Sequence, residues 1–109
     1  MNDELSQIVA KLRADYAEQL PATFTKMENL WRGLAAEELP VSRVAELARM
    51  AHSITGAGTT FGLPAVSRAA RELELYLDPF ATSGRLPGGA ERETVSVLLN
   101  ALRQSAALP

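Results

Sequence analysis

The sequence predicts an all-α protein: an antiparallel four-helix bundle with an additional short N-terminal helical segment, forming one domain over residues 1–109. Three observations lead there. Apolar residues recur at spacings of three and four along nearly the whole chain, the period of a helix buried on one face. No alternating or β-branched run bounded by turn residues reads as a strand. Prolines and glycines collect at a few points that cut the chain into helix-sized segments.

Asn2 or Asp3 is suited to cap the first helix, and Asp3 and Glu4 suit its positive end. Its stripe runs Leu5, Ile8, Leu12, Tyr16, Leu20 and continues as Phe24, Met27, Trp31, Leu34. Pro21 interrupts it, because proline removes a backbone donor and disfavours helical geometry in the preceding residue. The expectation is two segments on nearly one line, one ending near Gln19 and the next carrying Pro21 in its first turn. Glu37-Glu38-Leu39-Pro40 ends the second, and Ser42 is the expected N-cap of the helix that follows. That helix runs to about Thr60. Gly62 suits a left-handed C-terminal turn, and Pro64 the first turn of the next helix. Val66, Ala70, Leu73, Leu77 and Phe80 form the next stripe, which Asp78-Pro79 is expected to end or bend. Ala81–Gly89, with three glycines and a proline, reads as a long surface loop. A last helix from about Ala90 is expected to bury Val95, Leu98, Leu99, Leu102 and Ala106.

Composition narrows the function classes. A hydrophobic content of 47% with 22% charged residues is that of an ordinary globular domain. The net charge of −2 includes no basic block, so a nucleic-acid partner is not indicated. There is no cysteine, hence no thiolate nucleophile and no cysteine-based metal site. The acidic N-terminus lacks the apolar core of a secretory signal, and no apolar run has the length of a membrane span. The expected location is the cytoplasm and the expected state a monomer.

The chemistry concentrates in Ala51-His-Ser-Ile-Thr-Gly-Ala-Gly-Thr-Thr-Phe-Gly62, which holds the single histidine and three of the seven glycines. Val44, Leu47, Ala51, Ile54, Gly58 and Phe61 make the buried face of this helix. At about 100° per residue, His52 lies roughly 120–140° from that face and points to solvent. Its neighbours one or two turns away, Ala45, Ala48, Arg49, Thr55, Gly56 and Thr59, are almost all small. A glycine within a helix costs about 1 kcal/mol relative to alanine, so two of them need a reason. Gly58, on the buried stripe, admits a neighbouring helix; Gly56, on the exposed side, opens access to the imidazole. A metal site is disfavoured, since no second histidine exists and no acid lies one turn away. The glycines lack the Gly-Lys-Ser/Thr ending and preceding strand of a nucleotide loop, so the chain is not expected to bind ATP.

His52-Ser-Ile-x-Gly56 followed by Gly62 resembles the signature of histidine-containing phosphotransfer (HPt) domains, and the longer run is similar to the phosphotransfer domain of chemotaxis histidine kinases. That version carries a glutamate 22 residues after the histidine, which is Glu74 here. On the helical wheel alone Glu74 is a solvated acid at the stripe's edge. The resemblance implies instead that it accepts the Nδ1 proton of His52 and leaves Nε2 as a nucleophile. The family's lysine three residues after the histidine is Thr55 here, so the phosphoryl charge needs another cation, with Arg49 first and Arg71 second as candidates. The implied function is a phosphoryl carrier on His52, not an enzyme. It exchanges phosphate with a sensor histidine kinase and with response-regulator receiver domains, which supply the aspartate and Mg²⁺; the carrier itself binds no cofactor. Two other readings stand beside it: the phosphoacceptor domain of a chemotaxis-type kinase, and a non-phosphorylated helical interaction module, which the missing lysine favours. Met1 and the short Ala-Ala-Leu-Pro tail favour the free-standing carrier over the first of these.

Overall fold

Four stripes of apolar side chains, each on its own helix, meet in one core. The computed structural model describes residues 2–35 and 41–107 and contains α1 (Asn2–Ala35), α2 (Val41–Thr60), α3 (Pro64–Ser83) and α4 (Gly89–Ala107), with no strand among those residues. α2 packs most extensively on α3, α3 packs on α4, and α1 closes the ring against α2 and α4. The expected stripes of α2 and α3 are buried in full except for Phe61, which is half-buried and stacks on Tyr16 with ring centroids 5.0 Å apart. From α1 the core takes Leu20, Phe24 and Met27, and from α4 Val95, Leu99 and Leu102. No helix among the described residues is long and apolar enough to cross a membrane.

The expected separate N-terminal segment is not seen: α1 is one helix of 34 residues with Pro21 inside it. Pro21 denies a hydrogen bond to the carbonyl of Ala17, but both residues are exposed, so water can satisfy that carbonyl. Leu20 and Phe24, both buried, hold the helix to the core across the proline. The same argument covers Pro79. α3 does not stop at Asp78 but runs to Ser83, with Pro79 and Leu75 exposed and Phe80 buried.

The long loop accordingly shrinks to Gly84–Gly88. Arg85 binds Glu91 through two hydrogen bonds of 3.0 and 2.9 Å, and Glu91 also accepts from the Gly88 amide. Asn2, Asp3 and Ser42, the expected caps, instead lie inside the first turns of their helices, which begin at Asn2 and Val41. Leu98 is half-buried and Ala106 exposed, so the last helix buries less than its stripe promised. The expected break at Glu37–Pro40 and the side chain of Leu34 lie outside the described residues.

α4 is tied to α1 by Arg103, whose guanidinium donates two 2.9 Å hydrogen bonds to Glu28 and one of 3.0 Å to Thr25. The hydrogen bonds from Arg103 hold the Glu28 carboxyl below the ordinary glutamate range. A carboxyl with a lowered folded-state pKa adds stability above its unfolded value, about 4.3, and loses it as pH falls through the folded value. Glu28→Gln should therefore lower stability at pH 7 by about 0.2–1 kcal/mol, as expected for a solvent-accessible pair. In thermal melts the gap from the parent protein should narrow as pH drops below 4.3. A gap that stays constant down to acid pH would mean the ion pair contributes nothing.

Candidate functional site

α2 and α3 are joined by three residues whose conformations follow from their types. Gly62 has φ +72°, a left-handed geometry that side chains disfavour. Its amide donates to Thr59 O and that of Leu63 to Gly58 O at 2.7 Å, which is the paired closure of a Schellman motif. Pro64 then opens α3, where its missing donor costs nothing. A Cβ at Gly62 would also lie 3.3 Å from the Arg13 guanidinium carbon.

Just inside this turn the two helices come close at Gly58. A Cβ there would stand 3.0 Å from both the backbone nitrogen and the Cβ of Ser67. Ser67, the one buried polar residue of the α3 stripe, donates from its hydroxyl to Thr55 O at 2.7 Å and lies 2.9 Å from the Thr59 hydroxyl. Neither periodicity nor motif spacing singles out Ser67. A polar residue set among Val66, Ala70 and Leu73 is the signal that could have revealed it, because a buried hydroxyl requires a partner.

His52 projects from the middle of α2, between the buried Ala51 and Ile54, with its side chain 75% exposed. Its Nδ1 lies 2.6 Å from Oε2 of Glu74, whose side chain is only 16% exposed. Leu73, fully buried, fixes the backbone from which Glu74 reaches across. A carboxylate only accepts hydrogen bonds, so Nδ1 carries the proton in this contact. The neutral ring then has its lone pair on Nε2. Nothing stands within 4 Å of where a Cβ of Gly56 would be, so that side of the histidine is open.

The remaining candidates divide. Thr55 turns its hydroxyl back to donate to Ala51 O at 2.9 Å, which commits its only proton to the backbone. Arg49 pairs with Glu46 on its own helix. Arg71 is exposed one turn before Glu74 and forms no ion pair among the described residues. No three His, Asp or Glu side chains converge on a metal-sized site among those residues. A groove of about 420 Å³ is lined by Ala17, Leu20, Leu63, Val66 and Ala106, and His52 is not among its lining residues. With its side chain three-quarters exposed, the histidine is open to approach from solvent.

The Hpt domain family model matches residues 11–107, which include His52 and Glu74. Neither the comparison with curated proteins nor that with solved structures returns a match. With nearly its whole length matched, the chain belongs to the Hpt domain family, the histidine phosphotransfer modules of two-component phosphorelays.

Proposed function

We propose that this protein is a phosphoryl carrier in which Nε2 of His52 takes phosphate from a sensor kinase or an aspartyl-phosphate receiver and passes it to the aspartate of a response-regulator receiver. The observation that carries this is the 2.6 Å contact of His52 Nδ1 with Glu74, which leaves the Nε2 edge of the chain's single histidine facing solvent. In the transfer, the Nε2 lone pair attacks phosphorus, the N–P bond forms and the P–O bond to the receiver aspartate breaks, releasing its carboxylate. The ring gains positive charge and keeps its Nδ1 proton against Glu74. The return step reverses these changes. Such transfer needs in-line positioning and charge stabilisation, and the receiver brings the acidic pocket and Mg²⁺. The carrier contributes a preoriented nucleophile and is not itself an enzyme. Leu75, exposed beside Glu74, belongs to the apolar rim on which a receiver docks.

In this proposal the helices form an antiparallel bundle. Supporting this, His52 meets Glu74 while Thr59, further along α2, meets Ser67, further back along α3. By the same progression Arg71 lies level with Thr55, the position of the family's lysine. Arg71, rather than the paired Arg49, is therefore assigned to the phosphoryl charge. Arg71→Ala should slow phosphorylation about tenfold or more, since a charge-assisted hydrogen bond contributes roughly 1.5–3 kcal/mol. Adding Thr55→Lys to that variant should restore most of the rate. An Arg71→Ala protein of undiminished rate would end the assignment.

Glu74→Ala should slow phosphorylation of His52 with helix content and receiver binding nearly intact. Unchanged kinetics would make Glu74 an ordinary surface acid. The direct test of function is incubation with a phosphorylated receiver domain. The expected product is an acid-labile, base-stable phosphoryl group on this chain, and its absence with every donor tried would favour the interaction module. The phosphoacceptor domain of a chemotaxis-type kinase would use the same residues but take phosphate from a kinase catalytic domain bound to ATP.

A further inference from the structure

We propose that the N-terminal third of α1 is a self-association surface on which a second copy of this chain docks in antiparallel register. α1 has 34 residues, whereas α2, α3 and α4 have 20, 20 and 19, and the molecule is 56 Å long although a 20-residue helix spans only about 30 Å. The excess is the first three turns of α1, which project past the α2–α3 turn. Leu5 (64% exposed), Ile8 (53%), Val9 (42%) and Leu12 (51%) lie there on one face, at the spacing of a helix–helix seam. This uncovered face is the ground for proposing association where the sequence alone suggests a monomer.

Two independent features select a second copy and its direction. The stripe continues the line of Tyr16, Leu20 and Phe24 that faces the core, so it looks over the α2–α3 turn. A parallel partner helix laid on it would run into that turn, whereas an antiparallel one runs clear. Charge agrees. Glu4 and Lys11 are seven residues apart and flank the same side of the stripe. In an antiparallel pair same-side flanks meet, so Glu4 of each copy faces Lys11 of the other and Leu5 packs on Ile8. In a parallel pair Glu4 would meet Val9 and gain nothing. Lys11 is held within its own helix only by an exposed 3.4 Å pair with Asp15, which is readily exchanged. Self-complementarity of one patch is what a two-fold dimer requires. Three turns bury far less than the roughly 1,600 Å² of a standard interface, so the dimer is weak and reversible.

Sedimentation equilibrium on the full chain, up to about 1 mM where Kd corresponds to about −4 kcal/mol, tests this. The expected result is a rising mass average for the parent protein and a monomer for Leu5→Glu/Leu12→Glu. These positions are exposed, and circular dichroism should find the helix content kept. Glu4→Lys alone and Lys11→Glu alone should each weaken association about tenfold, since each reversal makes two like-charge contacts. Mixing these two variants should restore it, because each then meets its opposite. The proposal is overturned if the parent stays monomeric throughout, if the leucine variants associate as well as the parent, or if the mixture associates no better than either variant alone. Loss of receiver binding in the leucine variants, with self-association unchanged, would likewise overturn it and give the stripe to the receiver.

Discussion

His52→Gln should carry no acid-labile phosphate under conditions in which the parent protein is fully labelled. The chain has no other histidine to take over, so the loss should be complete rather than partial. The fold should survive. The side chain is three-quarters exposed, and exposed substitutions usually move stability by no more than about 0.5 kcal/mol. Glutamine also keeps an amide donor for Glu74, so that half-buried carboxylate need not lose its partner. Phosphate release assays and thermal melts on the two proteins are sufficient. Labelling of the variant at the parent level would remove His52 from the mechanism and with it the proposed function.

Gly58→Leu should destabilise the packing of α2 on α3. Even a Cβ there stands 3.0 Å from the Ser67 backbone nitrogen, and backbone cannot swing aside as a side-chain tip can. Overpacking of this kind costs about 1–3 kcal/mol, a fall in Tm of roughly 5–20 °C for a domain of this size. Phosphotransfer should fall only as the folded population falls.

Gly56→Ala is the contrasting case. Its methyl meets nothing within 4 Å, so the better helix former should raise stability by up to about 1 kcal/mol. It should nevertheless slow transfer, because the methyl stands on the open side of the histidine where a receiver must approach, and a larger residue should slow it further. A Gly56→Ala protein that is more stable and transfers at the parent rate would show that this glycine is not there for access.

Periodicity and residue type were enough for four things: the helical class, the buried stripes of α2 and α3, the left-handed Gly62 turn into Pro64, and the outward direction of His52. Each depends on neighbours within one or two turns, where the 3.6-residue repeat and backbone sterics act directly. The two glycines separated for the same reason, one falling on the stripe and the other off it. What needed tertiary structure were the relations between helices. On its own wheel Glu74 is an acid at the edge of a stripe; only the packing of α3 on α2 brings it to 2.6 Å from His52. Ser67 has meaning only opposite Gly58, where the close approach supplies α2 carbonyl and hydroxyl partners for its hydroxyl. The two prolines do not break their helices, because a proline's cost depends on whether the carbonyl one turn back can turn to solvent, and Ala17 and Leu75, one turn before Pro21 and Pro79, are both exposed. The Leu5–Leu12 stripe shows the converse. A sequence reveals that a helix face is apolar, but burial requires another surface opposite it, and α1 outruns the three helices that could provide one.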